Sequence, residues 1–170
     1  MRKLITALLL FCFLLSGCWD YKDLDKLSIV TGMAFDKAED GRLKVTLEIV
    51  DRSSSPKKEG LRSRIFQQEG RNVDEAAQKL SKGLDFELYY GALAVVIFGK
   101  ETPRPELRQW LLDNREVRET VYVVYAEDAG ELLLNKEEDI LAAYKLRDIL
   151  EASKDEKPLE LYKAGDEGHG

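Results

Sequence analysis

Between residues 43 and 49 apolar and polar positions alternate: Leu43, Val45, Leu47 and Ile49 are separated by Lys44, Thr46 and Glu48. A period of two predicts a strand with one buried face. The apolar-rich stretch 29–36 predicts another strand before it. Asp40-Gly41 lies between the two, so a hairpin with a short loop is expected. Residues 53–60, rich in Ser and Lys with one Pro, read as a polar, solvated loop. Ile65-Phe66 predicts a short third strand.

The period then changes. Val73, Ala76, Ala77, Leu80 and Leu84 fall at i, i+3, i+4, i+7 and i+11, an apolar stripe down one helical face. Asn72 is a suitable N-cap, Glu75 completes a capping-box pattern, and Gly83 predicts the stop. Residues 92–98 are apolar without exception, as in a strand covered on both faces. Pro105 opens a second helix with Leu107, Trp110 and Leu111 on one side. Residues 121–126 are again apolar and β-rich. A last helix is predicted over 137–152, with Ile140, Ala143, Tyr144 and Leu150 on one side and Leu146 at its margin. Strand–helix–strand units close as right-handed crossovers between parallel strands. Added to the antiparallel hairpin, they predict an α+β fold: one mixed β-sheet with helices packed on it.

The first residues follow a different logic. Arg2 and Lys3 precede an apolar run over 4–15 that ends in Leu15-Ser16-Gly17-Cys18. A basic start, a short apolar stretch and a small-residue exit describe a secretory signal peptide. The run is too short for a membrane span, which needs about 20 residues. Its exit resembles the lipobox of bacterial lipoproteins. That resemblance implies cleavage between Gly17 and Cys18 and acylation of the Cys18 thiol with diacylglycerol, whose chains are fatty acids such as palmitate. The expected organisation is a signal peptide over 1–17, a lipidated tether over 18–28, a domain over 29–152 and a polar tail over 153–170. The segment 19–26 reads as a short helix or an extended tether. Two acyl chains, at about 0.8 kcal/mol per buried CH₂, hold firmly where one is marginal.

Composition narrows the partners. The chain has 170 residues and a net charge of −6; loss of 1–17 with Arg2 and Lys3 leaves 153 residues and −8. An acidic body of this size argues against nucleic acid and against basic docking on anionic lipids. Of the two cysteines, Cys12 leaves with the signal and Cys18 is acylated, so packing alone must hold the mature fold. His169, the single histidine, lies in a Gly-rich tail and reads as solvated.

No catalytic signature stands out. GxSxG, P-loop and HExxH patterns are absent from the sequence, and no thiol–histidine pair can be built. Glu48, Asp85 and Glu87 are candidate carboxylates for acid–base work. Acidic residues are abundant, however, and each of the three reads as a solvated surface charge. No enzyme activity, cofactor or metal is therefore expected. Trp110 reads as a helix anchor, and Trp19 as a ring resting in the membrane interface or packed on the domain.

Cys18-Trp19-Asp20-Tyr21-Lys22-Asp23-Leu24, followed by Ile29-Val30-Thr31-Gly32-Met33-Ala34-Phe35-Asp36, resembles the Ger(x)C family of spore germination lipoproteins. Members open their mature form with Gly-Cys-Trp-Asp and continue into a strand reading Val-Thr-Gly-x-x-x-Asp. A second match is Gly70, Glu75-Ala76, Leu80 and the strand ending in Gly99-Lys100-Glu101. A third runs from Asp113 to Arg118 and on to Ala129, Glu131 and Leu132. Asp23, Ala92 and Asp113 depart from the residues usual at their positions. Members are also commonly more than twice this length, so the chain looks like their first domain. The resemblance implies a non-catalytic C subunit of a nutrient germinant receptor. Such a subunit sits on the outer face of the spore inner membrane beside two integral-membrane subunits, in an assembly that responds to nutrients. The loop 53–60 and the segment 19–24 are candidate contact regions.

Two other readings stay open on the residues alone. One is a small solute-binding cell-envelope lipoprotein, which needs polar side chains converging in a pocket. The other is an anchored cell-wall enzyme, which needs a catalytic constellation.

Overall fold

The computed structural model describes residues 27–51, 62–84, 87–134 and 141–153. Strands β1 (Leu27–Lys37) and β2 (Leu43–Asp51) form the hairpin. In its loop Gly41 takes a left-handed φ of 81°, and the Ala38 N–H donates to the Arg42 carbonyl at 2.8 Å. β3 (Arg62–Gly70), helix α1 (Val73–Leu84), β4 (Glu87–Tyr89), β5 (Val95–Phe98), helix α2 (Arg104–Asp113) and β6 (Tyr122–Tyr125) follow. Helices α3 (Ala129–Leu133) and α4 (Ala142–Ser153) come last.

The strand order is β3-β2-β1-β5-β6, with β4 beside the start of β1. The hairpin and β3 pair antiparallel, while β1, β5 and β6 run parallel. The fold is therefore α+β with one mixed sheet of six strands and helices packed on it.

Both faces of this sheet are covered. One face carries Met33, Phe35, Val45, Leu47, Val96 and Phe98, packed under α1 and α2 through Val73, Ala76, Leu80, Leu107 and Leu111. Phe35 and Phe98 stack at its centre with ring centroids 5.6 Å apart. The other face carries Ala34, Val95 and Ile97 under Ala129 and Leu133 of α3 and Ala143 and Leu150 of α4. The all-apolar β5 lies between the layers and sends alternate residues to each, as a doubly covered strand must.

β1 breaks strict alternation. Val30 and Met33, three residues apart, both enter the first core. The register against β2 slips between Val30 and Gly32, so Thr31 and Gly32 together oppose Glu48. Such a bulge re-aims the residues around it.

Several expectations need correction. β3 is nine residues long instead of two. Its edge position leaves most side chains half-buried, so its alternation is blurred, while its pairing with β2 is unbroken from Leu43 to Asp51. β5 is shorter than predicted because the Leu93 N–H closes a turn onto the Tyr90 carbonyl. Gly83 lies within α1 and does not stop it. β4 and α3 are too short to leave a periodic signal. α4 begins at Ala142, after the non-helical Leu141; the earlier start predicted at 137–140 falls outside the described residues. The capping pattern at α1 is half right. The Glu75 N–H donates to Asn72 Oδ1 at 2.9 Å, but the Glu75 carboxylate turns back to the Arg71 N–H at 3.2 Å. Bonds from the side chains of Arg71 and then Lys79 hold the Glu75 carboxyl down to about 2.

Trp110 anchors α2 as predicted. It stands edge-on to Tyr90 at 5.6 Å, and its indole N–H donates to Asp74 at 2.8 Å. The Tyr90 hydroxyl is buried without a hydrogen-bond partner among the described residues. Burial first, then the charges of Glu116 and Asp74, push its phenol up. The folded state thus keeps Tyr90 neutral, and stability falls as pH rises above about 10, where the unfolded chain ionises.

Two substitutions separate these effects in urea denaturation. Leu111→Ala, at a position 1% exposed, lowers stability by about 3 kcal/mol. Tyr90→Phe is neutral or stabilising at pH 8 and reduces the loss of stability between pH 8 and 10.5.

Candidate functional site

The sequence motif in β1 ends at Asp36, whose side chain leaves the sheet on the α3–α4 face. Asp36 accepts hydrogen bonds from the N–H groups of Ala129 and Gly130, both at 2.8 Å. These are the first two residues of α3, whose orphan amides need an acceptor. The local N-cap, Asp128, makes no such bond. A carboxylate from the sheet does that work instead, and also sits at the favourable end of the helix dipole. The closeness depends on missing side chains. A Cβ on Gly99 would lie 2.6 Å from Asp36 Oδ1, and one on Gly130 would lie 3.1 Å from Oδ2.

Glu48 repeats the device one helix later. Its carboxylate accepts from Ala142 N–H at 2.6 Å, Ala143 N–H at 3.0 Å and the Thr31 hydroxyl at 2.8 Å. The residue before α4 is Leu141, which has no polar side chain to cap with. Glu48 has no solvent exposure. The expectation of a solvated surface charge at Glu48 is therefore wrong. Alternation along β2 places Glu48 opposite to Leu47, and that face is covered by α3 and α4, not by water. Gly32 permits the cover: a Cβ there would meet Leu133 Cδ2 at 2.8 Å and the Ala143 Cβ at 2.9 Å.

Thr31, Gly32, Asp36, Gly99 and Ala129, all within the stretches that carry the family resemblance, thus fall into two clamps under the α3–α4 layer: Asp36, Gly99 and Ala129 form one. Thr31 and Gly32 form the other with Glu48, which no motif marked. Gly70 has its own reason: a Cβ there would stand 2.7 Å from the Ala76 amide nitrogen at the start of α1.

Near Asp36 the molecule also has an open, charged cleft of about 480 Å³. Lys37, Lys44, Lys100, Glu101 and Glu127 line it. Lys37 pairs with Glu101 at 3.0 Å and Lys100 with Glu127 at 3.3 Å, all well exposed. Exposed pairs of this kind contribute little stability. Asp36 reaches this cleft, but its two oxygens are engaged by α3. The convergent polar groups therefore point at helix ends inside the protein, not at a ligand space.

Of the other predicted residues, Glu87 is exposed as expected. Asp85, His169, Trp19, Gly17 and Cys18 lie outside the described residues, as do 53–60 and 19–24. Among the described residues no three His, Cys, Asp or Glu side chains gather as metal ligands would. None of the described helices is long and apolar enough to cross a membrane.

Fold and site define a small three-layered α+β module, one sheet between two pairs of helices, whose buried carboxylates are structural. The chain belongs to the family described as the spore germination protein N-terminal domain, whose model matches residues 20–161. It is 26% identical to spore germination protein KC of Bacillus subtilis over 96% of this chain and 42% of that protein. It is 30% identical to spore germination protein GerQC of Bacillus cereus over 89% of this chain and 42% of that protein. Spore germination protein B3 of Bacillus subtilis is 28% identical over 66% of this chain and 31% of its own length. The chain thus spans about two fifths of the first two. No solved structure matches it.

The clamp residues carry a direct stability prediction. Asp36→Asn and Glu48→Gln each place an amide N–H₂ against a helix N–H, and each lowers unfolding free energy by about 2–4 kcal/mol in urea titration. Gly32→Ala costs about 1–3 kcal/mol through overpacking. Values within about 0.5 kcal/mol of the parent would contradict the capping role.

Proposed function

We propose that this chain is the N-terminal domain of a lipid-anchored subunit of a spore nutrient germinant receptor, acting by contact with other proteins. The observation that carries this reading is the family match over residues 20–161, set directly behind Leu15-Ser16-Gly17-Cys18. On this reading Cys18 bears the diacylglycerol after cleavage following Gly17. The domain then rests on the outer face of the spore inner membrane, beside integral-membrane receptor subunits. Anchoring raises its effective concentration near those subunits without a tight interface. The acidic composition, the engagement of Asp36 and Glu48 by helix ends and the open charged cleft all suit a contact role better than capture or conversion of a small molecule.

Cys18→Ala in the full chain tests the anchor. The expected outcome in spores is an uncleaved precursor, no incorporation of labelled palmitate, and slower germination in response to a nutrient. Normal processing and membrane fractionation, with unchanged germination, would overturn the reading.

A further inference from the structure

We propose that α3 and α4 form a layer that opens as one unit from the sheet, while the strands and the α1–α2 side stay folded. Four features of the closed layer point to it.

Its apolar contact is thin. Of the eight buried members of its core, four are alanines: Ala34, Ala94, Ala129 and Ala143. The opposite core instead holds Phe35, Phe98, Met33, Leu47 and Leu111. Burial free energy scales with apolar area, so the α3–α4 side is the weaker of the two. Leu132 of α3, Leu134 just after it and Ile149 of α4 are exposed large apolar side chains and add little to holding the layer down.

Among the described residues neither helix has an N-terminal acceptor of its own. Asp128 makes no capping bond and Leu141 has no polar side chain; the caps are Asp36 and Glu48 from β1 and β2. α3 spans only five residues and α4 twelve, lengths at which an isolated helix is marginal. Leaving the sheet therefore removes the caps and the helices together.

Opening strands no charge. Once uncovered, both carboxylates exchange amide donors for water, so the net loss is small beside the gross strength of the bonds. Covered again, they offer the same oxygens to the same amides, which restores one defined docking position.

Connectivity allows it. α3 and α4 follow the last strand, so they can lift without disturbing any strand pairing. Local openings of this kind occupy the low end of a protein's stability range.

Native-state hydrogen exchange on the full chain in detergent micelles tests the proposal. Across low urea concentrations, the amides of α3 and α4 are expected to share one opening, about a hundredfold or more easier than that of β1 and β2. Glu48→Gln should raise exchange in both helices by about tenfold or more and lower the protection of β1 and β2 by the same factor, because the clamp is lost in the opened and the unfolded state alike. Leu111→Ala, on the other face, should instead lower the protection of β1 and β2 and leave that of α3 and α4 unchanged, because Leu111 stays packed when the layer lifts. Equal protection of α4 and β2 in the unsubstituted chain would overturn the proposal without need of any variant. So would a Glu48→Gln effect on α4 that spares α3, which would mean simple fraying of one helix.

Discussion

Two carboxylates rooted in the sheet satisfy the first amides of two helices, and the rest of the second layer is arranged around that fact. A helix N-terminus cannot be buried with its N–H groups orphaned. α3 and α4 bring such groups against β1 and β2, and their own cap positions supply no acceptor. Asp36 and Glu48 supply it from the sheet. The bulge at Thr31-Gly32 fixes the local aim of β1. Thr31 occupies a further lone pair of Glu48, while Gly32, Gly99 and Gly130 leave the room that close approach demands.

The two sides of the sheet are consequently held by different forces. α1 and α2 lie on large apolar side chains, with Trp110 edge-on to Tyr90 and a local Asn72 cap at α1. α3 and α4 lie on small side chains and directed hydrogen bonds. The first kind of contact is strong and tolerant of direction; the second is specific in geometry and modest in net free energy.

This division changes what the family motif means. A Thr-Gly-x-x-x-Asp sequence ahead of a glycine-terminated strand invites a search for a ligand, because glycines beside a carboxylate often line one. In this chain the ligand of the carboxylate is the protein's own helix. The surface left for other molecules is acidic and mixed in charge, with exposed pairs such as Lys37 with Glu101 around an open cleft. A domain of this type, held beside its companions by a lipid on Cys18 in the proposed arrangement, needs no catalytic group and no deep pocket.

From the residues alone came the α+β class, the hairpin with its Gly41 turn, the α1 stripe with its Asn72 cap and the doubly buried β5. Each is written in local periodicity or in one residue's backbone preference. The family resemblance was legible too, because it rests on short ordered motifs. The extent of β3, the existence of β4 and α3, and above all the role of Glu48 were not. Glu48 alternates with apolar neighbours as a solvent-facing residue of a half-buried strand would. Whether that second face meets water or a helix depends on α3 and α4, which arrive more than 80 residues later in the sequence. Periodicity reports which side of a strand is polar; only the packed structure decides what the polar side touches.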